Sequence, residues 1–449
     1  MAAAGGVLFG WYGCLGRWAD ALFGLTDVVL CGGGPVCSLP RLSLEPVFRR
    51  GHGSVYAALA EGGVSGEGLR DLLAAARPRS WPLVFAVDGT SWPRCDAETS
   101  PGRGYYYHPS RHGTGKPIVA GWRYQQVSQL NFDRDSWTWP ADCRRIHPLD
   151  DCVAVSARQI RDLLARLGEA AAVPLFAFDG GYDPIALADE LRADRAQILV
   201  PIKGDRVFYA DLPARAPGAR GRPRRHGSRF GGKKPGTGGG PAAQLTTRDG
   251  AYGTVRVTAC SGLHPMLAAR GRWASHGQAP IVRGGVIRVE VKHLPRPRGR
   301  VKKTLWLWWS GPPGTAPDLV LCWRAYIHRF DIEHAIKFPK ATLGWVTPSP
   351  RHPEQAGRWT AVITASYAQL VLARPLAAGQ RLPGNAPATA PTSPPAGYAA
   401  TFPGFARCSP RQPAPGNPAP RTRPKGSTTG PAQRYPAIKK AAQQPPAEG

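Results

Sequence analysis

Two apolar segments constrain the fold most, because each is followed directly by an aspartate and a glycine. Residues 83–89 read LVFAVDG, and residues 174–183 read PLFAFDGGYD. A short continuous apolar run predicts a strand that is buried on both faces, as in a parallel sheet. The second segment is followed by a helical pattern at 184–193 and by a third apolar run at 197–203. The order strand, helix, strand predicts an α/β fold with parallel pairing in this region.

Periodic and alternating patterns predict the remaining elements. Apolar residues at helical spacing predict helices, and alternation of apolar with polar residues predicts half-exposed antiparallel strands. The predicted helices cover 17–30, 66–78, 156–168, a stretch that starts near Trp323 and carries 326–345, and about 354–374. The predicted strands are two partly alternating runs within 105–132, the alternating runs at 253–260 and 286–294, and a further run at 303–310. We therefore expect an N-terminal helical region, an α/β segment, a β-rich insertion and closing helices.

The charge of the chain points to a polyanionic partner. The chain carries 58 Lys and Arg against 30 Asp and Glu, a net charge of +28. Such an excess is most often matched by nucleic acid. Residues 214–248 contain nine basic residues and no acid, which predicts a solvated loop that either binds phosphates or only keeps the chain soluble. From about residue 380 the chain is rich in Pro, Ala and Arg, which predicts a disordered basic tail.

Composition also argues against several classes of protein. The chain has no uninterrupted run of about 18 apolar residues, so we do not expect a membrane protein. The N-terminal stretch lacks a basic segment before its apolar residues, so we expect no signal peptide. The nine cysteines form no C-x-x-C pair, which argues against a disulfide scaffold or a structural zinc site. Reduced thiols in a cytosol fit this pattern better.

Three acids are candidates for catalysis: Asp88, Asp179 and Glu333. Asp88 and Asp179 each end an apolar strand, and in an open α/β sheet ligands bind just outside such strand ends. Neighbouring carboxylates repel each other, and a divalent cation between them offsets this repulsion. Mg²⁺ suits such a site because it prefers oxygen ligands. Two such ions about 3.5–4 Å apart can activate an attacking oxygen and stabilise a leaving one in phosphodiester cleavage. The sequence therefore indicates a metal-dependent phosphodiester site.

Each acid also has a simpler interpretation. Asp88 could be a turn acid or a helix N-cap at the end of its strand. Asp183 competes with Asp179 for the metal, although its position before a proline favours capping of the next helix. Glu333 could be a solvated partner of Arg329 on a helix surface.

The helix predicted at 326–345 carries four functional residue types on one face. At 100° per residue, all four fall within about 60° of the helix surface. The set is Tyr326, Arg329, Glu333 and Lys340. This face offers a carboxylate for metal, Arg and Lys for phosphate, and a tyrosine that can hydrogen-bond or stack. Pro339 predicts a kink just before Lys340, so Lys337, one turn after Glu333, is the alternative phosphate ligand.

With this Y-(2)-R-(3)-E-(6)-K spacing and the two strand-end aspartates, the sequence resembles the DDE-type insertion-sequence transposases of bacteria, in the group that carries the Y-R-E-K signature. The matching residues are Asp88 in VFAVDG, Asp179 in LFAFDGGYD and Glu333 in RFDIEH. The segments RRGHGSVY at 49–56, GRPRRHG at 221–227 and LGW at 343–345 are also similar to this group. The resemblance covers about residues 10–380. It implies a ribonuclease-H-like core with a β-rich insertion between the second Asp and the Glu.

The resemblance also implies an activity: Mg²⁺-dependent cleavage of DNA at the ends of a transposable element, followed by transfer of the freed 3′-OH into target DNA. Asp88, Asp179 and Glu333 would bind two Mg²⁺ ions, for which Mn²⁺ could substitute. Arg329 and Lys340, or Lys337, would hold phosphates, and Tyr326 would contact DNA near the cut. Further DNA contacts are expected in the basic loop, at Arg222, Arg224 and Arg225. We expect a homodimer or higher oligomer on DNA, located at the nucleoid in the bacterial cytoplasm and not at a membrane.

The predicted regions follow from these patterns. They are an N-terminal helical region at 1–80, the first part of the ribonuclease-H-like core at 81–210, the basic loop and β-rich insertion at 211–315, the C-terminal core helices with the catalytic Glu at 316–380, and the disordered Pro/Arg-rich tail at 381–449. Two other functions stay open on the sequence: a catalytically inactive DNA-binding remnant of a transposase, and a metal-dependent host nuclease without strand transfer.

Overall fold

A computed structural model describes residues 2–32, 34–107, 118–133, 135–169, 172–212, 224–232, 241–275, 277–292 and 304–374. Of residues 2–5 only the helical backbone is described. The tail predicted at 381–449, Arg222 and much of the predicted basic loop lie outside the described residues.

The centre of the fold is a single mixed sheet to which twelve strands of the described residues belong. The strands are β1 Val84–Pro93, β2 Gly104–Tyr107, β3 Ile118–Leu130, β4 Thr138–Ile146, β5 Leu175–Phe178, β6 Gln197–Pro201, β7 Val207–Ala210, β8 Arg229–Gly231, β9 Ala243–Asp249, β10 Gly253–His264, β11 Gly284–Val291 and β12 Thr304–Ser310. Their order is β2-β3-β1-β5-β6-β12-β11-β10-β7-β8, with β4 also paired to β3 and β9 also paired to β10. The pairs β1–β5 and β5–β6 are parallel and the other pairs are antiparallel, which confirms the predicted α/β fold with local parallel pairing.

The residues of β1 alternate between two hydrophobic cores. Val84 and Ala86 belong to the core that contains the N-terminal and C-terminal helices, whereas Phe85 and Val87 belong to the core of the two helices between the strands. All four side chains are fully buried. The continuous apolar run in the sequence is thus explained by a strand covered on both faces. Because the side-chain period is two, Asp88 extends the first set and faces the C-terminal helices.

Two helices of the chain cover the second core. They are α6, Cys152–Leu167, and α7, Pro184–Glu190. α6 begins after Asp151, whose carboxylate accepts a hydrogen bond from the Val153 amide, and it ends before Gly168, which has a φ of 66°. Both helices confirm predictions made from apolar periodicity and from glycine as a helix stop.

Helices from both ends of the chain cover the other core. They are α1 Ala2–Gly13, α2 Ala19–Cys31, α3 Leu39–Leu42, α4 His52–Glu61, α5 Gly66–Ala76, α8 Leu319–His328, α9 Asp331–Ala341 and α10 Pro353–Ala373. α10 is buried along most of its length and packs against α1, α2, α4, α5 and β4. The predicted helices at 17–30, 66–78 and 354–374 are confirmed as α2, α5 and α10. No helix in the described part of the chain has the length and apolar character needed to cross a membrane.

The predicted β-rich insertion extends the central sheet. β12 pairs with β6, with Leu307 opposite Pro201, and β11 and β10 follow in antiparallel order. One expectation for residues 214–248 was wrong, because 229–231 and 243–249 form strands β8 and β9. β9 pairs along its length with β10, its one strand partner among the described residues, and its polar side chains are partly or fully exposed.

The start of α7 gives a stability test. The Asp183 carboxylate accepts hydrogen bonds from the Ile185 amide at 2.9 Å and the Ala186 amide at 3.3 Å, which confirms the predicted N-cap. We expect Asp183→Ala to lower the free energy of unfolding by about 1 kcal/mol, because two amides at the helix start lose their acceptor. Asp183→Asn keeps an acceptor and should stay near wild type. Urea unfolding measures both; equal stability of the two variants would contradict the cap.

Candidate active site

Asp88 and Asp179 lie side by side where two parallel strands separate. The parallel register of β1 and β5 pairs Val84 with Leu175 and ends with Val87 opposite Phe178. Asp88 and Asp179 are the next residue on each strand, so the two carboxylates leave the sheet at the same level. Both acids follow directly on residues that are paired in this register, so their positions are tied to each other.

Asp88 does not end its strand, which corrects the sequence prediction. β1 continues to Pro93 because it stays paired with β3, from Asp88 opposite Gln126 to Pro93 opposite Gly121. Only the parallel partner β5 stops at this level. Asp88 is therefore a mid-strand residue at the point where β1 loses one neighbour, and its carboxylate accepts a hydrogen bond of 2.7 Å from the Gly89 amide.

Asp179 stands directly after β5, as predicted. Its side chain is half-buried and its carboxylate accepts a hydrogen bond of 2.8 Å from the Gly181 amide. The neighbouring acid Asp183 is occupied with the N-terminus of α7. The structure therefore separates the two acids that competed on sequence, since only Asp179 is aligned with Asp88.

The pKa of Asp88 is affected by the charges of both other candidate acids. Burial, followed by the negative charge of Asp179, raises the pKa of Asp88 to about 6. The Gly89 amide and the Arg329 guanidinium lower this pKa, and the charge of Glu333 raises it further. Because the net shift is upward, the protein's own cations do not neutralise the carboxylate. Asp179 and Glu333 are both near enough to act on Asp88, although Glu333 lies 245 residues further along the chain.

Glu333 lies on α9, at a joint between two helices where one helix was predicted. α8 ends at His328 and α9 begins at Asp331. At the joint the amides of Ile332 and Glu333 bond to carbonyls three residues back, at 3.2 and 3.1 Å, so one turn is tightened. The backbone between the helices stays in the right-handed helical region, so the predicted functional face is preserved in broad terms although the single helix is not.

Arg329 occupies this joint and is almost completely buried. Its guanidinium lies over the Phe330 ring at 4.3 Å and at 5.9 Å from the Tyr326 ring, and it is 3.7 Å from the Glu333 carboxylate. The Arg329 side chain is only 6% exposed, whereas the Glu333 side chain is 56% exposed. A buried cation whose Nε has no hydrogen-bond partner within the described residues is costly unless an anion approaches it.

Tyr326, one of the four residues predicted to share a helix face, lies on α8. Burial raises its pKa; the Arg329 charge lowers it, and the charges of Asp179 and Glu333 raise it further. Tyr326 is thus within electrostatic range of two of the three acids, which places it beside the candidate site.

Lys340 lies within Coulombic range of Asp88 despite the proline before it. α9 runs through Pro339 to Ala341, and Lys340 Nζ donates a hydrogen bond of 2.8 Å to the Ser91 carbonyl of β1. Burial lowers the pKa of Lys340 to about 8, and the Asp88 charge opposes this shift. Lys337, the alternative, is exposed on α9.

The donor chemistry of the site fits a divalent cation, although its ligand set is open. The described residues contain no group of three or more His, Cys, Asp or Glu side chains placed to hold a metal ion. Asp179 and Glu333 each act on Asp88, but the three acids do not form a closed coordination shell. A divalent cation would relieve the repulsion that helps to raise the pKa of Asp88, and carboxylate oxygens suit Mg²⁺ or Mn²⁺.

Two of the predicted basic-loop residues, Arg224 and Arg225, lie within the described part of the chain. Arg224 is exposed ahead of β8. The Arg225 guanidinium donates to the Ala279 carbonyl and is partly occupied with the protein itself. Arg222 lies outside the described residues, so the structure does not describe its surroundings.

Sequence reasoning missed Tyr182, on which both aspartates act, and Arg123, which lies against Gly89 on the face of β1 opposite to Asp88. Arg123 on β3 lies so close to Gly89 that a β-carbon there would be 3.0 Å from its guanidinium. The Tyr182 hydroxyl donates to Gln125 Oε1 at 2.9 Å; burial raises the pKa of Tyr182, and the charges of Arg123, Asp88 and Asp179 all act on it. The GGY that follows Asp179 was a signal for Tyr182, whereas Arg123 becomes visible only through the register of β3.

Comparison with known proteins identifies the family of the chain. The family model described as "DDE superfamily endonuclease" matches residues 11–265, more than half of the 449 residues. The chain belongs to the DDE superfamily endonucleases. The matched part of this DDE endonuclease includes Asp88 and Asp179 and ends before Glu333. No curated protein sequence matches the chain.

One solved structure is similar to this DDE endonuclease at a low level. It is the piggyBac transposase synaptic complex with hairpin DNA, determined by cryo-EM. The identity is 10% and the TM-score is 0.32, with 68% of this chain and 50% of the transposase chain covered. This DDE endonuclease therefore spans half the length of that protein, and the similarity is too low to carry an argument about activity.

Proposed function

We propose that this DDE endonuclease is a DNA transposase that cuts at the ends of its element and transfers the cut strand into target DNA. The observation that carries the proposal is the shared register level of Asp88 and Asp179, with Glu333 acting on the same carboxylate. Membership of the DDE endonuclease family supports a phosphodiester-cleaving role for these acids.

Asp88, Asp179 and Glu333 would hold the metal. Bound there, two Mg²⁺ ions, or Mn²⁺ in their place, supply activation of the attacking oxygen and stabilisation of the leaving oxygen. The chain's own part is to bring three carboxylates together against their mutual repulsion. The buried strands β1 and β5 hold two of them, and the joint before α9 brings the third within Coulombic range of Asp88.

Arg329, Lys340 and Tyr326 would bind and orient the DNA. Arg329 is always charged and its planar guanidinium suits a phosphate. Lys340 is held by the Ser91 carbonyl three residues beyond Asp88, so it adds positive charge near the scissile phosphate. Tyr326 offers a ring and a hydroxyl beside Asp179 and Glu333. Lys337 and the basic-loop residues Arg222, Arg224 and Arg225 would add weaker, non-specific contacts.

The same enzyme would have a ribonuclease-H-like core and would come from a bacterial insertion sequence. The strands β4-β3-β1-β5-β6 with the first Asp on β1, the second after parallel β5 and the Glu on a later helix are consistent with a ribonuclease-H-like core. The Y-R-E-K set near these acids supports a bacterial insertion-sequence transposase. DNA at element ends and targets, a homodimer or higher oligomer, and a cytoplasmic, nucleoid-associated location follow from that assignment.

The test is cleavage and strand transfer on the inverted repeats that flank the reading frame. Purified protein with Mg²⁺ should cut duplexes that carry these repeats and should join pre-cut ends to a target plasmid. Cutting without joining of pre-cut ends would indicate a host nuclease instead. Salt-sensitive binding without any cutting in Mg²⁺ or Mn²⁺ would indicate an inactive remnant, which the charge of +28 also accommodates.

The raised pKa of Asp88 predicts an unusual dependence of stability on pH. The pKa of Asp88 is about 6 in the folded chain and about 3.9 when unfolded, so the folded state binds more protons between these values and stability falls as pH rises through them. In EDTA at pH 8 we expect Asp88→Asn to be more stable than wild type by about 1–3 kcal/mol. The difference should vanish below about pH 4, where the carboxyl is protonated in both states.

Urea unfolding at both pH values measures this difference, and Asp183→Asn provides the matched control without such a gain. Addition of Mg²⁺ or Mn²⁺ should then stabilise wild type and not Asp88→Asn, because the ion binds only the intact set of carboxylates. If Asp88→Asn were less stable than wild type at pH 8 in EDTA, burial and the neighbouring negative charges would not be destabilising the ionised Asp88 carboxylate.

A further inference from the structure

The segment between β5 and α7 carries Asp179 and contains two exposed glycines. It consists of Asp179, Gly180, Gly181, Tyr182 and Asp183, and of these five residues only Tyr182 is buried. Glycine has more backbone freedom than any other residue, so the pair of glycines allows the segment to move. The Asp179 carboxylate accepts its hydrogen bond of 2.8 Å from Gly181, which belongs to the same segment. The direction of this carboxylate therefore depends on what anchors the segment beyond the glycines.

Tyr182 anchors this segment on the sheet face that α6 and α7 cover. Its ring packs edge-on against Phe178 in that core, with the ring centroids 5.0 Å apart. Its hydroxyl donates a hydrogen bond of 2.9 Å to Gln125 Oε1 on β3. Because β1 lies between β3 and β5 in the sheet, this bond connects the segment after β5 to the strand on the far side of β1. Gln125 directly precedes the residue that pairs with Asp88, so the bond ties the segment to the part of β3 that also holds Asp88.

Gln125 is a fixed anchor because its amide group is fully occupied. The side chain is completely buried, and its Nε2 donates to Ser156 Oγ at 2.9 Å and to Gln159 Oε1 at 2.7 Å, both on α6. The Gln159 amide in turn donates to the buried Asp142 carboxylate at 3.0 Å. Since both amide hydrogens of Gln125 are used, its Oε1 is left as an acceptor, and the Tyr182 hydroxyl donates to it. A buried network whose members are satisfied holds each side chain in one arrangement.

We propose that Tyr182 is a positioning residue, whose bond to Gln125 keeps Asp179 aligned for metal binding. The inference rests on the proposed function, in which Asp88 and Asp179 hold the same metal ions. The paired register of β1 and β5 ends one residue before these acids, so the Tyr182 bond supplies a restraint that strand pairing no longer supplies. Without this bond the segment populates several conformations, and the metal affinity falls with the fraction in which Asp179 is aligned.

The experiment measures Mn²⁺ affinity without DNA, from the electron paramagnetic resonance signal of the free ion. Tyr182→Phe keeps the buried ring and removes the hydroxyl, so we expect the dissociation constant to rise about five- to ten-fold. Tyr367→Phe is the matched control, because it removes another buried hydroxyl, which accepts a hydrogen bond of 3.5 Å from the Thr138 amide. This control should bind Mn²⁺ like wild type. Asp88→Asn lacks the proposed site and measures the Mn²⁺ that binds elsewhere.

A second variant tests whether freedom of the glycine segment causes the loss of affinity. A β-carbon at Gly180 would lie 3.7 Å from Pro201, an ordinary van der Waals contact, and Gly180 does not have a positive φ. Gly180→Ala therefore fits the native structure and restricts the backbone of the segment. Combined with Tyr182→Phe, it should restore part of the lost Mn²⁺ affinity. In single-turnover cleavage Tyr182→Phe should need about five- to ten-fold more Mn²⁺ and should reach a rate within about two-fold of wild type at saturating metal.

The outcomes separate this inference from the proposed function. If Tyr182→Phe binds Mn²⁺ as tightly as wild type, or if Tyr367→Phe loses affinity equally, the positioning role is wrong while the transposase proposal stands. If Gly180→Ala restores no affinity, the hydroxyl does not act by restraining the glycine segment and the inference is wrong. If Tyr182→Phe weakens Mn²⁺ binding but wild type neither cuts nor joins DNA, Tyr182 positions a metal site with another function. If wild type binds no more Mn²⁺ than Asp88→Asn, both proposals are wrong.

Discussion

Asp88→Asn should reduce Mg²⁺-dependent cleavage by at least a thousand-fold, a barrier increase of about 4 kcal/mol. The substitution keeps the size of the side chain and keeps an acceptor for the Gly89 amide, so the local structure has little reason to change. It removes one of two carboxylates that leave the sheet at the same level. Asp179 and Glu333 alone would hold the metal more weakly, because an amide oxygen is a poorer ligand for Mg²⁺ than a carboxylate.

The assay is single-turnover cleavage of a duplex that carries the element end. Asp183→Asn is the control, because it makes the same chemical change four residues from Asp179 at a side chain committed to capping α7. We expect this control to cut at the wild-type rate. Asp88→Asn that retains more than a tenth of wild-type cleavage would remove Asp88 from the catalytic set, whatever the other two acids do.

Much of the site was predictable because it depends on local signals. An apolar run that is buried on both faces is visible in the sequence, and so is the acid that follows it. For β1 and β5 these signals also imply parallel neighbours, which places Asp88 and Asp179 near each other. The helix cap at Asp183 was predictable for the same reason, since a cap depends only on its own first turn.

The errors arise where long-range pairing decides the structure. β1 continues past Asp88 because β3 supplies hydrogen bonds there, and nothing in VFAVDG reveals that partner. Strand β9, in a segment rich in Gly, Pro and Arg, forms because β10 offers its edge. Arg123 approaches Gly89 through the same pairing of β1 with β3. Register is a property of two segments together, so a single segment cannot predict it.

The joint between α8 and α9 shows a related limit. Helical periodicity persists through the joint, so the sequence predicts one helix, whereas the structure tightens the turn around a buried Arg329 that stacks on Phe330. The tightened turn includes the Glu333 amide, so it contributes to the position of that residue. The acid that was hardest to place from sequence is thus the one whose position depends most on tertiary packing, and its role calls for the most direct test.

Glu333→Gln should lower cleavage by about a hundred-fold or more, about 2.7 kcal/mol, while protein stability stays within about 0.5 kcal/mol of wild type. Its side chain is 56% exposed and its pairing with Arg329 is long, at 3.7 Å, so a purely structural role predicts almost no effect of the substitution on activity. A role as metal ligand predicts a large loss, because an amide oxygen binds Mg²⁺ more weakly than a carboxylate.

Asp331→Asn is the matched control for Glu333→Gln. Both substitutions remove one negative charge from the first turn of α9, so any effect of charge on the helix dipole is the same in both. The Asp331 carboxylate is instead 2.8 Å from His328 Nδ1. We expect Asp331→Asn to cut at close to the wild-type rate and Glu333→Gln to cut far more slowly in the same single-turnover assay. Equal rates for the two variants would assign Glu333 to the solvated face of α9 and would leave the third metal ligand to be found elsewhere.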